Sequence, residues 1–371
     1  MAVAMSGGPV LGGVIVDLLG WRWCFYVCVP IAVVALILLQ RTLHVTTVRK
    51  ENVSIDWFGA TLITAAVSVL LVWVSFAGKA GYYEWISVES ALYVGAGIVL
   101  LVATLIVETK VADPIIPLKI VTERTTGLAI IASVAVGIGL FGATTFLGQY
   151  FQTSRAYSPT VAGLLTIDGR RHARLVDALR WAHHALRQVE GFLIGGAILQ
   201  MVGFGLLGTV DHLTSLTLIS VYIAIVGLGT GMLMQNLVLA VQNTVSVRNI
   251  GAASSSVAFF RTFGGAIGVS VLGSILASRV ATISADGLAK LGVDTSGGGS
   301  GGSLDFSQLP EPVAEVIRAA YGDATATLFL VAAAFAVVTL VAVVLIPNQA
   351  LRTTIDLVEE KSPADRADIS S

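Results

Sequence analysis

A single charged side chain, that of Arg261, interrupts the long apolar segment Ile250–Ser278. In a helix that rises 1.5 Å per residue, Arg261 would lie about 16 Å from the start of this segment. An arginine at that depth in a membrane marks a functional site by default, because a charge in hydrocarbon needs a partner. The alternative is that its long side chain extends to the nearest interface and keeps the guanidinium in water. Both interpretations stay open at the level of sequence.

Amide side chains lie at or near the ends of several apolar segments. Gln149, Gln235 and Asn236 are candidates to line a path for a polar molecule, because amides both donate and accept hydrogen bonds. Amides also bond between neighbouring helices, so some members of the set have a packing role instead. The same two roles are open to Gln152, Gln242 and Asn243.

Other groups that could carry chemistry are few. Asp17 and Glu108 stand at the ends of apolar segments, where a carboxylate reaches water, so we expect no buried proton-carrying carboxylate. Cys24 and Cys28 lie one helical turn apart in an apolar segment and are interpreted as packing residues rather than a disulfide or metal pair. We therefore predict no catalytic residue, no metal site and no cofactor.

The composition limits the possible functions. Of the 371 residues, 55% are hydrophobic and 12% charged, and the mean hydropathy is +0.86, so the chain lacks the polar surface of a water-soluble domain. A net charge of −1 excludes a generally basic protein that binds nucleic acid. The sequence has no G-x-x-x-x-G-K-[ST] motif for ATP, and no apolar segment holds a pair of acids suited to proteolysis. We predict a membrane protein that is not an enzyme.

Nine apolar segments are long enough to cross about 30 Å of hydrocarbon as helices. The predicted fold is therefore an all-α polytopic membrane bundle of about nine to ten transmembrane helices. The segments are Met1–Gly20, Trp23–Gln40, Trp57–Ala77, Ala91–Val107, Thr126–Gly148, Phe192–Val210, Leu216–Met234, Ile250–Ser278 and Leu328–Ile346.

Basic residues predict the orientation of the bundle through the positive-inside rule. They cluster in alternate loops, which places Arg41, Arg49 and Lys50 in the cytoplasm. The tail 349–371 is then cytoplasmic as well. Val280–Asp323 becomes a long flexible outer loop around a Gly/Ser run. We expect a multi-pass protein of a bacterial cell membrane, in contact with the lipid bilayer.

The segment 167–190 does not fit this pattern. Loop parity requires a span there, but the segment holds five of the 22 basic residues and three of the five histidines. Each arginine at the centre of a bilayer costs about 2.5–3.5 kcal/mol. A basic helix lying at the interface is one interpretation. A metal or pH switch at His183–His184 is disfavoured, because adjacent residues on a helix do not face one ligand. Two compensating frameshifts near Thr166 and Gly191 fit the parity better, since codons can be chosen that encode an apolar helix one base out of frame.

Small and helix-bending residues crowd the first segment, where Gly8, Pro9, Gly12 and Gly13 fall within six residues. Such a cluster lets a neighbouring backbone approach closely. The run resembles the antiporter motif in helix five of major facilitator superfamily exporters. Other matches to the 14-helix drug:proton antiporter group are Trp21-Arg22-Trp23, Tyr150-Phe151-Gln152 and Arg261-Thr262-Phe263-Gly264-Gly265.

The resemblance implies helices five to fourteen of a 14-helix exporter that is truncated at its N-terminus. Residues 1–40 would then be a remnant of the first bundle and residues 41–108 two linker helices. Residues 109–348 would form the second six-helix bundle, with 167–190 anomalous within it, and residues 349–371 a cytoplasmic tail.

The resemblance also implies a function, which is proton-coupled efflux of drugs or other amphipathic small molecules. The proton gradient would drive it. Arg261, Gln149, Gln235 and Asn236 are then candidate transport or coupling residues, and the Gly8–Gly13 run shapes the contact between the two bundles. We expect the fragment alone to be inactive. The alternative is a non-transporting membrane protein, either a relic or one half of a split transporter whose first bundle is a separate chain.

Overall fold

The computed structural model describes residues 2–42, 56–78, 81–111, 118–166, 189–246, 249–291 and 310–347. Throughout these ranges the chain is helix or connecting turn, with no strand. Eight of the described helices are long and apolar enough to cross a membrane, and α1 has a shorter apolar part, Gly7–Leu19. The predicted all-α polytopic bundle is confirmed.

Each predicted apolar segment coincides with a helix, and several helices extend beyond their segments. A π-helical turn, Tyr150–Ser154, continues α6. The bounds are α1 Ala2–Leu19, α2 Trp23–Thr42, α3 Trp57–Phe76, α4 Val88–Glu108, α5 Leu118–Val121, α6 Arg124–Gln149, α7 Pro159–Thr166, α8 Val189–Leu207, α9 Leu216–Thr244, α10 Ile250–Lys290 and α11 Glu311–Val344.

The core lies around α6, which buries most of its side chains and contacts α9, α10 and α11. One hydrophobic cluster joins Val136 of α6 to Leu193, Leu237 and Val257. A second contains the stacked rings of Phe204 and Phe329, 6.3 Å apart. The α3–α4 pair touches this core through α10. None of the residues of α2 is buried.

A polar network closes one end of the bundle. Arg155 donates from Nε to the Tyr150 hydroxyl over 3.0 Å, and that hydroxyl donates to the carbonyl of Asp211 over 3.0 Å. His212 Nδ1 lies 2.9 Å from the Asp323 carboxylate of α11. These bonds fasten the end of α6 and the loop between α8 and α9 to α11, so this end of the bundle is braced.

The loop expected over Val280–Asp323 is shorter than predicted. α10 continues as helix to Lys290, and α11 already begins at Glu311. Residues 279–290 contain good helix formers and one glycine, Gly287, where a methyl group would lie 2.5 Å from Val316 Cγ1 of α11. Helix propensity and this packing therefore extend both helices beyond the apolar segments. The Gly/Ser run 296–303, residues 167–188 of the anomalous segment and the tail 349–371 lie outside the described residues.

Candidate functional site

The Gly/Pro run of α1 packs directly on α7. Gly13 is buried, and a methyl group there would lie 2.5 Å from the carbonyl oxygen of Pro159 and 2.8 Å from Cα of Thr160. On the other side, a methyl group at Gly163 would overlap the carbonyl oxygen of Pro9. The two glycines thus let the two backbones touch without intervening side chains, as expected from the small-residue pattern.

The four residues of the run fall on two faces of α1. Pro9 and Gly13, four residues apart, lie toward α7. A methyl group at Gly8 or at Gly12, also four apart, would have no atom within 4 Å among the described residues. Only half of the motif therefore makes the close contact.

Asp17 adds a polar bond to the same contact. Its Oδ2 accepts a hydrogen bond from the backbone N–H of Thr160 over 2.9 Å. Thr160 is the second residue of α7, where backbone N–H groups have no partner within the helix. A carboxylate also interacts favourably with the positive end of the helix dipole. Asp17 therefore holds the N-terminus of α7, while remaining exposed as predicted.

Arg261 lies at a second glycine contact, between α6 and α10. A methyl group at Gly137 of α6 would overlap the carbonyl oxygen of Arg261. Methyl groups at Gly264 and Gly268 of α10 would lie 2.5 Å from the Val134 carbonyl oxygen and 2.8 Å from Cα of Ile138. The backbone of Arg261 is therefore fixed by direct helix contact.

The guanidinium of Arg261 is partly enclosed. Its Nη1 is buried and has no hydrogen-bond partner in the part of the chain that the structure describes. A buried donor without an acceptor costs about 1–3 kcal/mol, more for a charged group. The arrangement is one that an acceptor, above all an anionic one, would stabilise.

The candidate amides do not converge on Arg261. Gln149 lines a cavity near the end of α6, and Gln235 is exposed on α9. Asn236 donates from Nδ2 to the carbonyl of Met232 over 2.7 Å, which is a bond within its own helix. Gln242 bonds across helices, from Nε2 to the Ser254 hydroxyl over 2.9 Å. Within the described ranges no hydrogen bond joins any two of the four candidate residues.

Two polar residues are buried contrary to, or without, a prediction from the sequence: Glu108 was expected to be exposed, and Gln200 was not singled out. Glu108 was expected to reach water, but it is only 4% exposed. It follows Gly97 and Thr104 on the face that α4 turns toward α3, so helix packing rather than position at the end decides its burial. Gln200 is 1% exposed and donates from Nε2 to the Thr230 hydroxyl over 3.3 Å. Because Gln200 lies in the middle of an apolar segment, its burial could have been predicted from the sequence.

Comparison of the sequence with known proteins identifies a family and several relatives of this chain. The model of the Major Facilitator Superfamily matches residues 1–269. The multidrug transporter protein MdtP of Bacillus subtilis is 31% identical over 282 residues, which are 76% of this chain and 51% of MdtP. The MFS-type transporter Rv1877 of Mycobacterium tuberculosis is 30% identical over 339 residues, 89% of this chain and 48% of Rv1877. The efflux pump dotC of Dothistroma septosporum is 26% identical over 370 residues, 96% of this chain and 63% of dotC. The chain thus spans about half the length of the first two relatives.

Proposed function

Because this chain belongs to the Major Facilitator Superfamily, we propose that it is part of an efflux transporter for drugs or other amphipathic small molecules. The name of dotC, an efflux pump, supports export as the direction, and the name of MdtP, a multidrug transporter, supports drugs as the substrates. The observation that carries the proposal is the glycine contact of α1 with α7. Transporters of this kind alternate access by rocking two helical bundles about a central site, which requires a close contact that can also open.

The proposal divides the chain as the motifs imply. Residues 1–40 belong to a first bundle, residues 41–108 form two linker helices, and residues 109–348 form the second bundle. The α1–α7 contact then joins the two bundles, with Gly13 and Gly163 at its centre. The α6–α10 contact lies wholly within the second bundle.

Arg261 is proposed to act in coupling to protons. A carboxylate that binds its guanidinium is stabilised in the charged form, and protonation of that carboxylate releases the pair. The buried Nη1, which has no partner among the described residues, supports such a role, since it needs an acceptor. We place that acceptor on the substrate or on the first bundle.

Residues 1–371 alone are proposed not to transport. The test expresses this chain in an efflux-deficient bacterium and measures the accumulation of a fluorescent cationic dye. We expect the same accumulation as with empty vector. Reduced accumulation that a protonophore reverses would contradict the proposal.

A chimera tests the export function separately. It joins the part of MdtP that precedes its match with this chain to residues 1–371. We expect lowered dye accumulation that a protonophore abolishes, and loss of this effect in Arg261→Gln. The matched control is Arg279→Gln, which changes an exposed arginine on the same helix. A chimera that reaches the membrane in full amount and leaves dye accumulation at the vector level would refute export.

A second candidate function is a non-transporting membrane protein, either a relic or one half of a split transporter. None of the residues of α2 is buried, and in the split form this helix would contact the separate first bundle. A gene for the first bundle directly beside this one, whose product co-purifies with this chain, would favour the split transporter. Sequencing the codons for residues 166–191 tests the proposed frameshifts.

The location follows from the same proposal. We place the protein in a bacterial cell membrane with the tail 349–371 in the cytoplasm. Fusion of alkaline phosphatase to the C-terminus should be inactive, and fusion of green fluorescent protein should fluoresce. The opposite pair of results would reverse the orientation.

A further inference from the structure

Four helices line a half-open cavity on the side of the bundle that faces the α3–α4 pair. Its volume is about 280 Å³. Each of α3, α6, α10 and α11 contributes at least one residue to the wall. The wall includes Ser75, Phe146, Gln149, Ser270, Gly273 and Tyr321.

Polar groups from all four helices meet in this cavity. The hydroxyl groups of Ser75 on α3 and Ser270 on α10 lie 3.4 Å apart. Gln149 and Tyr321 also line the cavity, and neither side chain has a hydrogen bond to any other described side chain or backbone group. A few polar groups that converge in a mainly apolar cavity are typical of a small-molecule site.

The lining also indicates the charge of a ligand. No charged side chain is part of the wall that the structure describes. A charged ligand would lose part of its hydration there without gaining an opposite charge, which is costly. The apolar side chains, Phe146, Val269 and Leu276, suit a ring or a short hydrocarbon chain. The volume is just below the usual range of ligand cavities, about 300–1,000 Å³, and therefore suits one or two rings.

The cavity is separate from the candidate coupling residue. Val269, the wall residue nearest to Arg261 along α10, lies eight residues beyond it, or about 12 Å along the helix. It is also separate from the α1–α7 contact, because neither helix contributes to its wall. A ligand here would touch α3, α10 and α11 and hold the linker pair against the bundle.

We propose that this cavity binds an uncharged, amphipathic small molecule with one or two rings and a hydrogen-bonding group. The site goes beyond the proposed export function and does not depend on it. Gln149 and Tyr321 supply hydrogen bonds, and Phe146 supplies the apolar face.

The experiment measures binding of radiolabelled 1-naphthol to the full 371-residue chain in lipid nanodiscs. Empty nanodiscs give the linear partition into lipid, which is subtracted. We expect saturable binding to the protein, and binding at least tenfold weaker for 1-naphthoate and 1-naphthylmethylammonium. A purely linear signal, or equal affinity for the charged compounds, would overturn the proposal.

Variants localise the binding to the cavity. A methyl group at Gly273 would lie 3.6 Å from the Phe146 ring, so the position has space and Gly273→Leu should fill the cavity and abolish binding. The matched control is Gly251→Leu on the same helix, where nothing lies within 4 Å and binding should not change. Gln149→Leu removes one hydrogen bond and should weaken binding about two- to tenfold. If Gly273→Leu does not fold, Gln149→Leu and Tyr321→Phe decide the question, and unchanged affinity in both would refute the site.

The result is independent of transport. Binding is measured on this chain without a proton gradient or a first bundle, so a failure of the export proposal leaves the cavity intact.

Discussion

The α6–α10 and α1–α7 contacts use the same device, glycines that let two backbones touch, but in different surroundings. Gly137, Gly264 and Gly268 lie within the core, and α6 is covered on its other sides by α9 and α11. Gly13 and Gly163 lie between α7 and a helix that otherwise touches little beyond α2. No side-chain hydrogen bond joins α6 to α10 in the described ranges, whereas Asp17 bonds α1 to α7.

The difference suggests how one residue type serves two purposes. Inside the core, close backbone contact is reinforced from several sides, and separation would expose buried surface in many places at once. At the α1–α7 contact, separation breaks one small interface and one hydrogen bond to an exposed carboxylate. The α6–α10 contact is therefore expected to stay closed, and we call it the brace. The α1–α7 contact is suited to opening and closing.

The largest effect is expected at the brace. Gly137→Ala places a methyl group against the carbonyl oxygen of Arg261, and neither backbone is free to move away. Overpacking of this kind costs about 1–3 kcal/mol, and we expect the upper end here. Unfolding of the purified chain in mixed micelles with increasing sodium dodecyl sulfate gives the change in the free energy of unfolding.

The control for this variant is Gly231→Ala on α9. A methyl group there has nothing within 4 Å, so alanine should leave stability unchanged or raise it slightly through helix propensity. Equal midpoints for the two variants would show that the α6–α10 contact is looser than described.

A smaller and more local effect is expected at the α1–α7 contact. Gly13→Ala should push α1 away from α7 at a cost of about 1–3 kcal/mol. Nitroxide labels at the exposed positions Leu18 and Leu164, in a chain with Cys24→Ser and Cys28→Ser, report the separation by pulsed electron spin resonance. The distance should increase while the unfolding midpoint of the bundle stays nearly constant.

Gly12→Ala is the matched control, because Gly12 is adjacent in sequence but has open space around it. It should leave the distance unchanged. If both alanines increase the distance, the effect comes from the backbone of α1 and not from its contact with α7.

These two neighbouring glycines also show how far sequence reasoning reaches. Hydropathy predicted the long helices well, because a span of the bilayer needs a long apolar run. The small-residue run predicted close packing of α1. It provided no means of choosing between Gly8 with Gly12 and Pro9 with Gly13, since both pairs are four residues apart. Only the position of α7 decides this.

Burial of polar residues was harder to predict for the same reason. Glu108 stands at the end of an apolar segment, which favoured exposure, yet its helical face is turned toward α3. The cavity beside Gln149 depends on four helices that are distant in sequence. No local pattern contains that information, whereas the place of Gln200 within a span was a local signal.

The energetic costs of substituting the two glycines at the α1–α7 contact are expected to be coupled. Gly13→Ala and Gly163→Ala each force the same two helices apart, so the second substitution should cost less than the first. Double-mutant cycles of contacting residues give coupling energies of about 0.5–3 kcal/mol. The populations of the near and far distances between the labels supply the four free energies. Strict additivity would mean that the clashes of the two alanines are relieved independently of each other.

The smallest effect is expected for Asp17→Asn. The amide oxygen can still accept the hydrogen bond from Thr160, so only the interaction of the negative charge with the N-terminus of α7 is lost. Because Asp17 is exposed, the shift toward the far distance should be well below that of Gly13→Ala. It should also vanish in 1 M salt, where screening acts within about 3 Å. Glu89→Gln, an exposed carboxylate in the first turn of α4, should give no shift at any salt concentration. If the increase in label distance in Asp17→Asn persists in high salt, the carboxylate acts through packing and not through its charge. The α1–α7 contact would then depend on close packing, as the brace does.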